Sequence, residues 1–403
     1  MNKLIIRMRN LKEDHKGFST ILALALIPLS GFATDIYLPS LPAMAKDLNV
    51  SASAIQLTLV FFMFSLGISQ IFIGSILDSF GRFKISIASL AVFSAASFVI
   101  ALVPDIYVIY AMRIIQGIAI AFIVIAKRAY FVDLFKGDKL KSYISLFSII
   151  WASAPIMAPF LGGYLEHSFG WKSNFYFLGG LSLLMLLLEL RHSGETIKEL
   201  HPFKFKAITN TYSNMLKSVD FTLGFVILGI TFAIVIMFNL TSPFIIERIF
   251  GYSAITTGYS ALLSGLSVMI GGITAKSMIK NPLAKKVGTA ITIQLILALL
   301  MIFTSSLESN IYTLVIFTMG LNICGGFIYN IVLGYCLSRF SKNAGVASGL
   351  TGGGAYMVSA LFSYSFVNIY AVKSQFLLGL ANISLLAIVG IVFIIFNKYR
   401  LKN

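Results

Sequence analysis

The stretch Gly74-Ser75-Ile76-Leu77-Asp78-Ser79-Phe80-Gly81-Arg82-Phe83-Lys84 is a polar joint between two long apolar runs, and its charges set how the rest of the chain reads. Asp78 falls near the end of a predicted helix, where the dipole disfavours a carboxylate, so it needs compensation from Arg82 or from another helix's N-terminus. Gly81 allows a tight turn and Gly74 a close helix contact. Outward from this joint, about twelve apolar stretches of roughly 20 residues alternate with short polar joints, the length needed to cross a ~30 Å hydrocarbon core as helix. The predicted spans are 18–42, 54–79, 84–103, 106–134, 141–166 and 171–190, then 219–246, 253–279, 286–306, 310–337, 343–369 and 374–397. The fold class is therefore an all-α integral membrane protein of twelve transmembrane helices. A six-helix bundle over 1–190 is expected to join a second over 218–403 through a basic cytoplasmic linker, 191–217.

The N-terminus, the even joints and the C-terminus hold 24 of the 31 Lys and Arg residues, while the odd joints hold only Lys46, Lys172, Arg248 and Lys373. By the positive-inside rule both termini and the even joints lie in the cytoplasm of a multi-pass protein of the bacterial inner membrane. The net charge of +16 then reflects insertion into a lipid bilayer and not a nucleic-acid partner. A chain 58% hydrophobic and 11% charged has too little polar surface for a water-soluble globule. The first apolar stretch, Phe18 to Leu38, exceeds a signal-peptide core and lacks a small-residue cleavage site, so it is expected to remain as a helix.

Chemistry that needs a cofactor or metal finds no foothold. His15, His167, His192 and His201 fall on joints or termini without ligand spacing, and no Gly-x-x-x-x-Gly-Lys-Ser/Thr loop occurs. Cys324 and Cys336 are ~18 Å apart along one predicted helix, too far for a disulfide. No cofactor and no enzymatic activity are expected. Gly74 to Arg82 recurs weakly as Gly271-Gly272-Ile273-Thr274-Ala275 and onward to Ile279, which points to a duplicated six-helix unit with a central cavity between the copies.

The Gly-x-x-x-Asp-x-x-Gly-Arg-x-Lys pattern resembles the loop between helices 2 and 3 of the major facilitator superfamily. The resemblance implies that Gly74, Asp78, Gly81 and Arg82, with Asp133 at the end of span 4, form a conformational latch, and that Asp78 meets the start of span 11 near Asn343 to Ser348. Two further stretches resemble the Bcr/CflA-type drug/proton antiporters: Thr34-Asp35-Ile36-Tyr37-Leu38-Pro39-Ser40-Leu41-Pro42 in span 1, and Ala154-Pro155 through Ala158-Pro159 to Gly162-Gly163 in span 5. Arg113-Ile114-Ile115-Gln116-Gly117 is similar to their span 4 motif. Pro155 and Pro159 stiffen or kink span 5 while Gly162 and Gly163 admit a neighbouring helix; the resemblance adds an occluding, leak-preventing role to that packing.

A carboxylate on an apolar helix costs several kcal/mol in lipid unless it faces a cavity or a partner, which makes Asp35 the candidate proton carrier. The alternative is that it meets water at the outer end of span 1. Helical spacing sets Arg113, Gln116, Ile120 and Lys127 on one stripe, so Arg113 is expected to face the cavity and, by resemblance, to modulate proton and substrate binding. Lys127 and Arg128 depart from the family pattern. With Arg113 they give three cations against Asp35, a cavity suited to anions, unless both snorkel to the cytoplasmic surface. The expected substrate-binding set is Asp35, Tyr37, Arg113, Gln116, Lys127 and Arg128. The function implied is proton-coupled efflux of a small amphipathic, possibly anionic solute by a monomer using alternating access. A broad exporter of lipophilic cations or neutral drugs, and a non-transporting receptor with the same fold, are the alternatives.

Overall fold

The computed structural model describes residues 10–197, 199–200, 205–278, 282–340 and 344–401. Lys3, Arg7, Arg9, Lys198, Phe203, Lys204, Lys280, Lys342, Asn343 and Lys402, which carry part of the charge ladder and of the expected latch, lie outside the described residues.

Among the described residues, twelve helical segments are long enough to cross a bilayer. They are α1 (Glu13–Asp47), α2 (Ala52–Phe80), α3 (Arg82–Leu102), α4 (Ile106–Leu134), α5 (Gly137–Phe169) and α6 (Lys172–His192), then α7 (Val219–Ile249), α8 (Ala254–Ser277), α9 (Leu283–Leu307), α10 (Ile311–Arg339), α11 (Ala344–Ile369) and α12 (Gln375–Arg400). α5, at 33 residues, carries an uncharged apolar run over 144–161, and α11, at 26 residues, is rich in Gly, Ser and Ala. These two helices run along α8 and α2 of the opposite half, where close contact between backbones needs small residues.

The helix pairs repeat with six added to each number. α2 packs on α4 as α8 packs on α10, α3 on α6 as α9 on α12, and α3 on α4 as α9 on α10. Buried apolar side chains form one large cluster centred on α1–α6 and a second on α7–α12, each with its own phenylalanines (Phe62, Phe93 and Phe175 against Phe221, Phe238 and Phe396). A further helix, Phe205–Leu216, lies within the expected linker. It is tied to α2 through the Tyr212 hydroxyl, which donates to the Ile71 carbonyl.

Local chemistry ends the helices. Asp105 caps α4 through the amides of Tyr107 and Val108, Asn310 and Thr313 form a capping box on α10, and Ser374 caps α12. At the joint between α2 and α3 the backbone of Gly81 takes φ +91°, a conformation that a side chain would strain.

Candidate functional site

Helix α1 is not continuous. Pro28, Pro39 and Pro42 withhold backbone donors, and the run divides into Lys16–Ala25, Leu29–Asp35 and, beyond a short 3-10 turn, Leu41–Asp47. Asp35 ends the middle piece and is 5% exposed. It lies twelve residues before the end of the run at Asp47, or ~18 Å at helical rise, so the reading that puts it at a wet outer end fails. Among the described residues its carboxylate makes no ion pair or hydrogen bond, and it sits within electrostatic reach of Arg113 on α4 and of Tyr356 on α11.

Arg113 is fully buried in the first bundle and does not line an open cavity. Its Nη1 donates to the Ala33 carbonyl at 3.0 Å and to Gln116 Oε1 at 2.9 Å. The guanidinium lies 4.5 Å over the Tyr37 ring and 4.2 Å over that of Phe62. Gln116 in turn donates to Ser97 on α3 at 2.8 Å, and the Tyr37 hydroxyl bonds Thr58 on α2 at 3.0 Å. Tyr37 and Gln116 thus support Arg113 from within the first bundle. A cation at this depth is tolerated when its donors are met and aromatic faces cover it. Arg113 Nε and Nη2 nevertheless stay buried without a hydrogen-bond partner.

The charge count of the cavity also needs correction. Lys127 turns toward α6 and pairs with Glu189 at 2.6 Å, both side chains buried. Glu189, which the sequence analysis does not single out, neutralises Lys127 inside the bundle and removes it from the set of free cations. Arg128, the next residue, points the other way. It is exposed, lies 4.8 Å over the Phe147 ring and is within electrostatic reach of Tyr356. Tyr356 and Tyr329 flank Phe232, with ring centroids 6.0 and 6.1 Å from it, and form the second half's wall opposite Asp35 and Arg128. Phe232 carries no sequence signal that separates it from packing phenylalanines.

At the end carrying the termini, Arg82 bonds Asp78 at 3.1 Å, pairs with Asp133 and donates to the Ala129 carbonyl at 3.0 Å. Glu195, which the sequence reading does not single out, accepts from the first amides of α3, Arg82 at 3.2 Å and Phe83 at 3.0 Å, as a carboxylate at a helix N-terminus should. Thr196 adds a bond to Asp133 at 2.7 Å. These partners all belong to the first half and the start of the linker. Gly74 gives no close contact: a Cβ there would meet nothing within 4 Å, because α2 and α11 touch nearer the centre and diverge beyond Gln70.

That central crossing sets Gly67 against Gly353, where a Cβ on Gly67 would lie 2.7 Å from the Gly353 carbonyl oxygen. The α5 motif makes the corresponding contacts. Gly162 abuts the Ile36 carbonyl beside Asp35, Gly163 abuts Ala254 of α8, and a Cβ on Gly258 of α8 would lie 2.8 Å from the Pro159 carbonyl oxygen. Pro155 and Pro159 sit inside an uninterrupted helix.

Four side-chain bonds join the halves at the end opposite the termini. Gln56 donates to the Leu240 carbonyl at 2.7 Å, Ser53 bonds Tyr364 at 2.9 Å, Tyr164 bonds Tyr259 at 3.0 Å, and Arg248 donates to the Pro42 carbonyl at 3.3 Å. This end is closed over Asp35, while Arg128, toward the other end, stays exposed.

The signature of the Major Facilitator Superfamily matches residues 23–364. The chain is 34% identical over 229 residues to the MFS-type transporter YdgK of Bacillus subtilis, an alignment spanning 54% of this chain and 56% of that protein. It is 27% identical over 364 residues to the bicyclomycin resistance protein homolog of Haemophilus influenzae, covering 87% of this chain and 89% of that one. Among solved structures, a bacterial homolog of the human lysosomal transporter Spinster superposes with a TM-score of 0.72 at 14% identity, covering 97% of this chain and 98% of that one, which shows a shared fold.

Proposed function

The chain belongs to the Major Facilitator Superfamily, whose members are membrane transporters and not enzymes, and on that premise we propose that it is a proton-coupled exporter of small amphipathic, anionic solutes. It works in a bacterial inner membrane with both termini cytoplasmic, the orientation that the basic joints favour. Residues 1–190 and 218–403 rock as two bundles about the linker. With the cytoplasmic side open, Asp35 gives up its proton as solute binds between Arg128 and the Phe232/Tyr329/Tyr356 wall. Rocking then presents the site outward, and protonation of Asp35 from outside releases the solute. Export, and not uptake, is the direction that the resistance name of the Haemophilus relative supports.

The observation that carries this reading is Asp35: a carboxyl buried at a break in its helix, without an ion-pair partner among the described residues, within reach of Arg113 on its own half and Tyr356 on the other. A group so placed changes environment whenever the halves move, and a change of environment changes its hold on a proton. Proteoliposomes with an imposed pH gradient provide the test. Asp35→Asn should lose uphill transport while retaining solute binding; full gradient-driven transport in that variant would remove Asp35 from the mechanism.

One observation favours the broader reading. With Lys127 neutralised by Glu189, the aromatic wall dominates the site, and aromatic faces attract lipophilic cations as well as planar neutral drugs. Competition between acidic and cationic solutes for efflux separates the two readings.

A further inference from the structure

The closed end holds a pair of acids that the transport cycle above does not use. Glu166, one turn after Gly163 on α5, lines a cavity of about 520 Å³ that opens at this end between α1, α5 and α6. Its Oε2 is buried without a hydrogen-bond partner. Glu247 comes from the opposite half, on the π-helical turn Ile245–Ile249 that ends α7, a local widening that recurs at functional sites. Its Oε1 accepts from Thr257 of α8 at 3.1 Å. Gly163 packs on Ala254, so the two carboxylates bracket the tightest contact between α5 and α8 and lie within electrostatic reach of each other.

The surrounding groups do not cancel the pair. On α1, Ser40 accepts from Asn174 of α6 at 2.8 Å and offers its hydroxyl to Glu166, while Lys46 and Asp47 line the mouth of the same cavity with Lys172 of α6. Asp47 is engaged by Trp171 Nε1 at 2.9 Å. His167, beside Glu166, is exposed, and Arg248, beside Glu247, stacks on Phe244 at 5.1 Å and reaches the Pro42 carbonyl. From α8 the facing group is the uncharged Thr257.

We propose that Glu166 and Glu247 form a second proton-binding site that gates the outer end: this end closes when the pair holds a proton taken from the outer medium and opens when both acids are ionised. Two carboxylates flanking one packed contact between the halves repel when both are ionised, and a proton on either relieves the repulsion. Acid outside therefore drives the return to the conformation seen here, after the solute has left. The proton goes back to the same side when the end reopens, so this site sets the pace of return without adding to the number of protons carried across. The inference rests on the outward orientation of this end and is independent of the role of Asp35.

The test reads conformation without solute or gradient. Spin labels on the exposed joints 103–105 and 308–309, in a background with Cys324 and Cys336 replaced by alanine, report the opening of this end in nanodiscs between pH 5 and 9. The parent protein should open as pH rises. E166Q and E247Q, singly, should each lower the open fraction at high pH about tenfold, and the double variant should stay closed throughout. Asp35→Asn, which removes the other proton-linked acid, can shift the profile but should keep a rise in opening between pH 5 and 9 that the double glutamine variant lacks. Should a glutamine variant fold poorly, Glu166→Asp, which retains the charge and should still open at high pH, provides the second comparison. A pH-independent parent, a double variant that opens like the parent, or loss of the pH response in Asp35→Asn would each overturn the proposal.

Discussion

The two halves share one packing plan and solve the burial of polar groups in opposite ways. Inside the first, Arg113 is covered by two aromatic rings, Lys127 is paired with Glu189, and Asp35 has no ion-pair partner among the described residues. Inside the second the interior polar groups are neutral: Asn322 donates to Ser264 at 2.7 Å and Gln294 to the Leu321 carbonyl at 2.8 Å. Its buried acid, Asp220, sits at the terminus-bearing end, held by Tyr335 at 2.6 Å and Arg339 at 2.7 Å. A duplicated fold has thus kept its helix contacts while charge near the membrane's centre is concentrated in one copy. The charged copy is suited to handling protons, and the neutral copy to supplying a wall against which solute and Asp35 are held.

This contrast can be broken by measurement. Removing one member of the Lys127–Glu189 pair strands a buried charge, so Glu189→Leu should lower stability by about 3–5 kcal/mol, and adding Lys127→Met should restore most of it. Thermal unfolding in detergent reads both; a double variant no better than the single would mean that the pair does more than neutralise. Arg128→Gln should weaken binding of acidic solutes about tenfold relative to cationic ones, the size of one lost charge-assisted hydrogen bond. Equal effects on both classes would return Arg128 to the role of a surface anchor. Smallest is the neutral half: Asn322→Ala should cost about 1 kcal/mol or less and leave proton coupling intact. Loss of coupling in that variant would erase the division of labour.

The ladder of spans was legible because hydropathy over a span is a property of neighbours in sequence. The predicted 106–134 coincides with α4, and other boundaries differ by a few residues. The departures are instructive. The break after Asp35 needed knowledge of how three prolines share one crowded helix, and the Phe205–Leu216 helix, at 12 residues, is too short to register as a span although Phe205, Ile208, Tyr212 and Met215 recur at helical spacing. Site chemistry was legible only as residue type. Arg113, Lys127 and Gln116 are rare polar residues in lipid and were found for that reason, but which way each turns depends on partners such as Glu189 and Ser97, distant in sequence. The helical stripe joining Arg113 to Lys127 is real in spacing, yet its two ends satisfy themselves against different helices.

The crossing of α2 and α11 brings backbone against backbone at Gly67 and Gly353, with only Met357 and Ile71 reaching in from the sides. Such a joint behaves as a journal bearing: one body can turn on the other with few side chains in the way. Resistance to the motion is then concentrated at the two rims, where bonds are made and broken. A methyl group at either glycine would act as grit in that bearing, slowing traffic between end states that each remain able to fold.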